Sequence, residues 1–190
     1  MSATNRGSKR VESDFYATPL NVIDNLLSHH QLKDGIILEP SAGNGNFIRS
    51  IRNNGYINNV IANELRTEEI NNLLNSGANI VTNMDYLSDE FEIPNIDNKK
   101  VETVIGNPPF SLAKEFLEVT FNRFPNAEII MLLRLAFLES KKRYDFWKKH
   151  PVSKLYVLSE RPSFTGRGTD ATAYCFMVWN KSSTQEIRVI

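Results

Sequence analysis

The chain has 190 residues, of which 41% are hydrophobic and 23% charged, a composition typical of a globular protein and unlike that of a disordered chain. Its 22 basic and 22 acidic side chains balance, so no global field attracts it to nucleic acid or to an anionic membrane, and such binding has to be local. The single cysteine excludes an intrachain disulfide, the spacing of the three histidines excludes a zinc site, and no apolar run suits a membrane span or a secretory signal.

Residues 1–13 are mostly small or polar and predict a flexible tail, followed by a single domain over residues 14–190. After Pro19, apolar residues at helical spacing predict an amphipathic opening helix. Five strands are then predicted, with helices or loops between them, at residues 36–38, 60–62, 80–81, 101–105 and 128–135. The remaining predicted elements are a basic helix and two strands, at residues 141–150, 154–158 and 173–179.

Alternating strands and helices at this spacing predict an α/β fold, a doubly wound and mostly parallel sheet of about seven strands with an antiparallel C-terminal strand. The fifth strand is rich in Ile and Leu without alternation, as expected when both faces of a sheet are covered. For the first five strands we expect the order 3-2-1-4-5. The histidines, His29, His30 and His150, fall at predicted helix ends, where capping or surface roles are expected.

A glycine-rich turn, SAGNG at residues 41–45, connects the first strand to a helix. Such a turn brings backbone amides close to a ligand, and Glu64, nineteen residues after Gly45, stands where an acidic side chain holds ribose hydroxyls. Ile48 replaces the third glycine of the dinucleotide fingerprint, and no Gly-Lys-Ser/Thr sequence is present. The pattern therefore favours a cofactor with a ribose but no phosphate chain, with a plain strand-to-helix turn as the alternative.

The fourth strand ends at Asn107-Pro108-Pro109-Phe110, where two prolines make a stiff, extended segment that cannot belong to a helix. It presents an amide oxygen, the Pro108 carbonyl and an aromatic face, which together suit a flat ring bearing an amino group. A turn with a buried Phe is the alternative. Because strands one and four are neighbours in the predicted order, we expect the glycine-rich turn and this corner to face one cleft.

Three segments, FYATP at 15–19, EPSAGNG at 39–45 and NPPF at 107–110, resemble motifs of the S-adenosylmethionine-dependent DNA adenine N-6 methyltransferases, in particular short, phage-like members. The resemblance covers most of the chain. It implies a Rossmann-like class I methyltransferase fold, S-adenosylmethionine as cofactor, and methyl transfer to the N-6 amine of a flipped adenine. Each motif alone is less specific, because Asn-Pro-Pro-Phe or Asn-Pro-Pro-Tyr also occurs in methyltransferases acting on ribosomal RNA and on protein glutamine.

The cofactor-binding residues that this resemblance implies are Phe15, Tyr16, Thr18, Glu39, Ser41, Gly43, Gly45, Glu64, Asp85 and Tyr86. The first three would line the methionine end of the cofactor. Glu64 would hold the ribose hydroxyls, and Asp85 would accept a hydrogen bond from the cofactor adenine amine. The catalytic residues that it implies are Asn107, Pro108, Pro109 and Phe110, and no metal takes part.

DNA contact is expected at two local features. The stretch from Arg134 to Lys154 carries seven basic and two acidic residues, and the loop from Arg161 to Thr172 adds Arg161 and Arg167. A solvated face is the alternative for the basic stretch. Larger relatives add a target-recognition domain, whereas this sequence ends directly after the last predicted strand, so a partner subunit or an oligomer would have to supply target recognition.

By the same resemblance we expect a cytoplasmic protein of a bacterial cell, encoded by a phage, with no membrane partner. Two alternative functions stay open. An RNA base N-methyltransferase would share every motif described above. A non-catalytic regulatory subunit that binds S-adenosylmethionine or DNA would share the fold, although it would have no need of the Asn-Pro-Pro-Phe geometry.

Overall fold

The computed structural model describes residues 16–164 and 168–190. Its α-helices are α1 (Leu20–His29), α2 (Asn46–Asn53), α3 (Ile70–Leu74), α4 (Ala113–Arg123) and α5 (Tyr144–Lys149). Its strands are β1 (Ile36–Glu39), β2 (Val60–Asn63), β3 (Ile80–Thr82), β4 (Val101–Gly106), β5 (Glu128–Arg134), β6 (Lys154–Val157), β7 (Tyr174–Trp179) and β8 (Glu186–Val189). Short 3-10 turns occur at Thr67–Glu69, Asn98–Lys100, Phe110–Leu112, Leu135–Leu138 and Lys141–Arg143.

The strands form one sheet in the order β3-β2-β1-β4-β5-β7-β6-β8. Neighbours from β3 to β5 are parallel, β7 is antiparallel to both β5 and β6, and β8 is parallel to β6. The predicted fold class is therefore confirmed, including the order of the first five strands and the antiparallel strand near the C-terminus.

Both faces of the sheet are covered by apolar clusters, to which successive residues of the central strands contribute alternately. In β5, Ile130 and Leu132 pack with α1 and α2, whereas Ile129 and Met131 pack with α4 and α5. All four side chains are buried, and each contributes about 1.5–3 kcal/mol relative to an exposed position. Burial on both sides explains why the β5 sequence shows no polar alternation. In the part of the chain that the structure describes, no helix is long and apolar enough to cross a membrane.

Two elements differ from the prediction. The strand β8 was not predicted, because its four residues form an exposed edge in which Ile187 and Val189 keep 74% and 70% of their surface accessible. The basic helix predicted at residues 141–150 is α-helical only over Tyr144–Lys149. Its first residues form a 3-10 turn, in which the Ser140 side chain accepts a hydrogen bond from the Lys142 amide at 3.2 Å.

The surface role expected for His30 is wrong. Its ring is buried, with Nε2 3.0 Å from a Glu128 carboxylate oxygen and Nδ1 3.1 Å from the Tyr156 hydroxyl. These contacts join the end of α1 to β5 and β6. A buried imidazole whose two nitrogens both have partners stabilises the packing of α1 on the sheet.

Candidate active site

A cavity of about 580 Å³ lies at the carboxyl ends of β1 to β4. The strands β1 and β4 are adjacent, and the chain proceeds from them toward opposite edges of the sheet, so the cavity occupies the topological switch point. The glycine-rich turn after β1 and the corner after β4 both line the cavity. The Ser41 hydroxyl donates a hydrogen bond to the Asn107 carbonyl at 3.3 Å, so the two motifs touch directly.

Most of the site residues that the sequence predicts are brought together here. The predicted residues that line the cavity are Tyr16, Thr18, Glu39, Ser41, Gly43, Glu64, Asp85, Tyr86, Asn107 and Pro109. Gly45, Pro108 and Phe110 lie next to the cavity without lining it. Phe15 lies outside the described residues.

The glycine-rich turn needs its glycines for geometry. Gly43 and Gly45 both have positive φ, 53° and 83°, a region that residues with a Cβ enter only with strain. A Cβ at Gly45 would also lie 2.8 Å from the Ser76 Cβ. Gly45 therefore permits the turn to approach the segment that follows α3 closely. Gly43 lines the cavity.

Glu64 connects this turn to the end of β2. Its carboxylate accepts hydrogen bonds from the Gly43 amide at 2.7 Å and from the Arg66 amide at 3.0 Å. The side chain is buried and lines the cavity. The Arg66 Nε also lies 3.5 Å from Glu64 Oε1. Because a carboxylate can accept about four hydrogen bonds, Glu64 keeps acceptor capacity for a ligand beside these three contacts.

Glu39 is a buried acid that lacks a partner. Its side chain is 2% exposed, and its Oε2 has no hydrogen-bond partner among the described residues. Burial, and then the charge of Glu64, raise the pKa of the Glu39 carboxyl well above its ordinary value. A cationic group bound in the cavity would oppose both effects by stabilising the carboxylate.

Asn63 organises three strand ends and was not identified from the sequence. Its Nδ2 donates to the Pro40 carbonyl at 3.1 Å and to the Met84 carbonyl at 3.0 Å, while its Oδ1 accepts from the Thr82 hydroxyl at 2.8 Å. The buried amide therefore ties the segments that follow β1 and β3 to the end of β2. The only local signal was a polar residue closing an apolar strand immediately before Glu64.

The loop after β3 carries Asp85 and Tyr86. Asp85 is exposed, and its Oδ1 accepts a hydrogen bond from the Leu87 amide at 2.9 Å, whereas its Oδ2 has no hydrogen bond to any residue that the structure describes. Tyr86 contributes to the cavity wall, but its hydroxyl is buried against the Thr120 hydroxyl at 2.9 Å. Burial, the largest effect, raises the pKa of Tyr86 far above its ordinary value, so Tyr86 acts as a neutral wall.

Arg123 on α4 fixes this loop in place. Its guanidinium donates to the Tyr86 carbonyl and, at 2.5 Å, to the Ser88 carbonyl. The same group lies 5.4 Å from the Tyr86 ring centroid and 5.0 Å from that of Phe91. A cation with these contacts sets the position of the loop that presents Asp85.

Asn107 is held with its amide oxygen unused. The two Nδ2 hydrogens have acceptors in the Tyr16 carbonyl and the Thr18 hydroxyl, each at 3.1 Å. The Oδ1 is buried and accepts no hydrogen bond from the described residues. Because both donors are engaged, the orientation of the amide is fixed. Its buried Oδ1 belongs to a residue that lines the cavity.

Phe110 belongs to an aromatic cluster beside the cavity, formed with Tyr16, Phe164 and Tyr174. The Tyr16 ring stacks on it with centroids 5.7 Å apart and an interplanar angle of 23°. The Phe164 and Tyr174 centroids lie 6.1 and 5.5 Å from that of Phe110. The Arg134 guanidinium lies over the Phe110 ring, 4.7 Å from its centroid. Within this cluster, Tyr16 lines the cavity, whereas Phe110 does not.

The two basic features follow β5 and β6. On the first, Arg143 is engaged internally, because its guanidinium donates to the carbonyls of Phe137 and Glu139 at 2.8 and 3.0 Å. Lys141 and Lys142 are exposed in the same turn. Arg167, in the second feature, lies outside the described residues. Within residues 16–164 and 168–190, no group of three His, Cys, Asp or Glu side chains is placed to hold a metal ion.

Comparison with protein-family models and with curated proteins finds no match to the sequence. Solved structures do resemble the fold. A Listeria monocytogenes protein assigned to the class I S-adenosylmethionine-dependent methyltransferases has a TM-score of 0.69 and 14% identity, over 95% of this chain and 67% of its own. A protein of Pyrococcus horikoshii assigned as an RNA methyltransferase has a TM-score of 0.68 and 19% identity, over 94% of each chain.

The 23S rRNA methyltransferase ErmE has a TM-score of 0.63 and 16% identity, over 90% of this chain and 71% of its own. Identities this low establish likeness of fold alone. The chain therefore has the Rossmann-like fold of class I methyltransferases, with its cavity at the switch point of the sheet.

Proposed function

We propose that the protein transfers a methyl group from S-adenosylmethionine to the exocyclic N-6 amine of adenine in DNA. The observation that carries this proposal is the unused Oδ1 of Asn107, buried beside a cavity that the glycine-rich turn also lines. A buried acceptor without a donor costs about 1–3 kcal/mol. A substrate NH₂ group would satisfy it, and the exocyclic amine of adenine is such a group.

The cavity residues suit S-adenosylmethionine, which supplies a methyl group made electrophilic by its sulfonium. The unpartnered Glu39 carboxyl fits a ligand ammonium. Glu64 has lone pairs left for ribose hydroxyls, and Asp85 has an oxygen free for an adenine amine. Solved structures of similar fold include proteins assigned as S-adenosylmethionine-dependent methyltransferases, which supports the same cofactor.

In the proposed reaction, Asn107 accepts a hydrogen bond from the amine and directs the nitrogen lone pair toward the methyl carbon. The carbon–nitrogen bond forms as the carbon–sulfur bond breaks, and the extra proton on nitrogen then passes to water. No strong base is needed, so the contribution of the protein is alignment, worth roughly 7–11 kcal/mol in well-oriented systems. Phe110 supports the adenine ring by stacking, at on the order of 1–3 kcal/mol. The Tyr16 ring, which stacks on Phe110 in this structure, moves aside as the base enters.

We further propose that DNA approaches along the basic residues that follow β5 and along the loop between β6 and β7. Both segments leave the sheet on the side of the aromatic cluster, which Arg134 and Phe164 join. RNA is the alternative substrate. The solved RNA methyltransferases resemble this chain in fold, and that likeness does not distinguish RNA from DNA as the substrate.

The decisive experiment offers isotopically labelled S-adenosylmethionine with duplex DNA, single-stranded DNA, RNA and protein in parallel, followed by nucleoside mass spectrometry. We expect labelled N6-methyladenine from DNA. Label in an RNA base instead would establish an RNA methyltransferase. Binding of cofactor and DNA without any labelled product would establish a non-catalytic subunit.

The substitution Asn107→Ala tests whether the Asn107 Oδ1 is the acceptor for the substrate amine. It should lower methyl transfer by orders of magnitude, because the amine loses its acceptor. S-adenosylmethionine binding measured by calorimetry should be retained and weakened only by the loss of the two Nδ2 hydrogen bonds to Tyr16 and Thr18. Asn71→Ala, at an exposed position of α3, is the matched control and should keep the activity. Equal turnover in Asn107→Ala and the parent would remove Asn107 from the mechanism.

A further inference from the structure

Arg134 occupies an unusual position beside the aromatic cluster. It is the last residue of β5, which neighbours β4, and it pairs across the sheet with Tyr174 of β7. Its guanidinium lies over Phe110, 4.7 Å from the ring centroid, although the residue as a whole is exposed. The Arg134 guanidinium therefore contacts the same aromatic ring on which the proposed function stacks adenine.

One side of this guanidinium is tethered. The Arg134 Nε donates to the Tyr174 hydroxyl at 3.3 Å, and that hydroxyl donates to the Asp170 Oδ2 at 3.2 Å. Asp170 is in turn held through its Oδ1, which accepts from the Thr172 amide at 3.0 Å. The chain of hydrogen bonds fixes the direction of the guanidinium through a single nitrogen.

The other side of the guanidinium is unused. No hydrogen bond or ion pair joins its two terminal nitrogens to the part of the chain that the structure describes. Arg143 differs, because its guanidinium donates hydrogen bonds to three nearby backbone carbonyls. A planar cation tethered at Nε, with its terminal fork free, is preorganised to bind an anion through two parallel hydrogen bonds.

We propose that Arg134 binds a backbone phosphate that flanks the target adenine, so that Phe110 and Arg134 together form the site for the acceptor nucleotide. This inference rests on the proposed function, which places adenine against Phe110. A base and its phosphates are parts of one nucleotide, so a cation held on the plate that stacks the base is within reach of those phosphates. Tyr174 and Asp170 act as positioning residues, because they aim the guanidinium without touching DNA.

The test measures binding of a fluorescent oligonucleotide, by anisotropy, in the presence of S-adenosylhomocysteine. The oligonucleotide carries the adenine that becomes methylated in the parallel assay above. In two further versions, a neutral methylphosphonate replaces the phosphate on the 5′ or the 3′ side of that adenine. Parent, Arg134→Gln, Arg134→Lys and Tyr174→Phe are compared. The matched control for removal of one charge is Lys99→Gln, at an exposed position in the turn before β4, away from the proposed DNA path.

For the parent, one methylphosphonate should weaken binding by about 10- to 100-fold, as expected when hydrogen bonds to a charged group are lost. Arg134→Gln should bind the natural oligonucleotide equally weakly and should be insensitive to that methylphosphonate. For this variant, the slope of the logarithm of the binding constant against the logarithm of salt concentration should decrease in magnitude by about one, as expected for the loss of one phosphate contact. Arg134→Lys should recover part of the affinity, because it keeps the charge but loses the fork. Lys99→Gln should keep the parent affinity and the full methylphosphonate effect.

The positioning role has its own readout. Tyr174→Phe keeps the ring and removes only the tether, so it should raise KM for DNA several-fold, leave kcat near the parent value, and leave S-adenosylhomocysteine binding unchanged. Melting temperatures of all variants confirm that each one is folded, and Arg134→Lys provides the comparison should Arg134→Gln unfold.

Two outcomes overturn the inference in distinguishable ways. If Arg134→Gln responds to both methylphosphonates as the parent does, Arg134 has only a structural contact with Phe110, and the proposed function stands. If the parent methylates no DNA adenine at all, the proposed function fails first and the role of Arg134 fails with it.

Discussion

Glu39 offers the sharpest test of the site, because its burial has opposite effects on stability and on binding. Its pKa is raised from an ordinary value of 4.5 by burial first and by the charge of Glu64 second. An unfolded chain releases this proton more readily than the folded protein does. Stability therefore falls as pH rises from the ordinary pKa to the raised one, by about 1.4 kcal/mol for each pH unit.

Glu39→Gln removes this penalty while keeping the shape of the side chain. For a chain of this length, 1 kcal/mol corresponds to about 2–4 °C in Tm, so the variant should gain about 3–6 °C over the parent for each pH unit inside that window. The two proteins should melt together below the window. Thermal unfolding between pH 4 and pH 8 at constant salt measures the difference, with the exposed Glu90→Gln as the control for removal of one acid.

Ligand binding should favour the parent instead. At a concentration 100 times its Kd, S-adenosylhomocysteine stabilises the protein to which it binds by about 2.7 kcal/mol. If Glu39 pairs with the ligand ammonium, tenfold weaker binding in Glu39→Gln reduces that gain by about 1.4 kcal/mol. A Tm difference that is independent of pH, or a ligand-induced gain that is the same in both proteins, would refute the account of Glu39.

Substitutions at three further positions probe the rest of the site. Glu64→Ala should weaken cofactor binding at least about tenfold by calorimetry, because it removes both the turn contact and the ribose acceptor; an unchanged Kd rejects that role. Phe110→Trp should keep more methyl transfer than Phe110→Ala, and the opposite ranking argues against stacking. Arg123→Met should weaken cofactor binding several-fold without changing KM for DNA, because it frees the loop of Asp85; a change in KM for DNA alone would place Arg123 elsewhere in the mechanism.

The sequence predicted the elements of the fold wherever neighbouring residues restrict the backbone. The glycines of the turn after β1 and the two prolines after β4 restrict the backbone by themselves, so strand ends at these points were predictable from adjacent residues. The order of the first five strands then follows from the general rules for parallel crossovers. The strand β8 carries no comparable signal, because its pairing with β6 uses backbone groups and leaves Ile187 and Val189 exposed.

The residues that sequence analysis missed act over long separations. His30 meets Glu128, 98 positions away, and Arg123 reaches back 37 positions to Tyr86. Asn63 bonds to segments on two other strands. Neither periodicity nor a motif encodes such partners, because each depends on which strands are neighbours. The resemblance to known enzymes indicated residues expected to contact ligands. His30, Arg123 and Asn63 instead contact other parts of the protein and hold its elements in place.

Asn107 shows why the two halves of the proposed site depend on each other. Its side chain is oriented by the Tyr16 carbonyl and the Thr18 hydroxyl, which belong to the segment expected at the methionine end of the cofactor. Its backbone carbonyl accepts from Ser41 of the glycine-rich turn. A ligand that orders this segment and this turn would therefore also hold the amide oxygen in place for the amine. The geometry required for methyl transfer is then complete only when cofactor and acceptor occupy the site together.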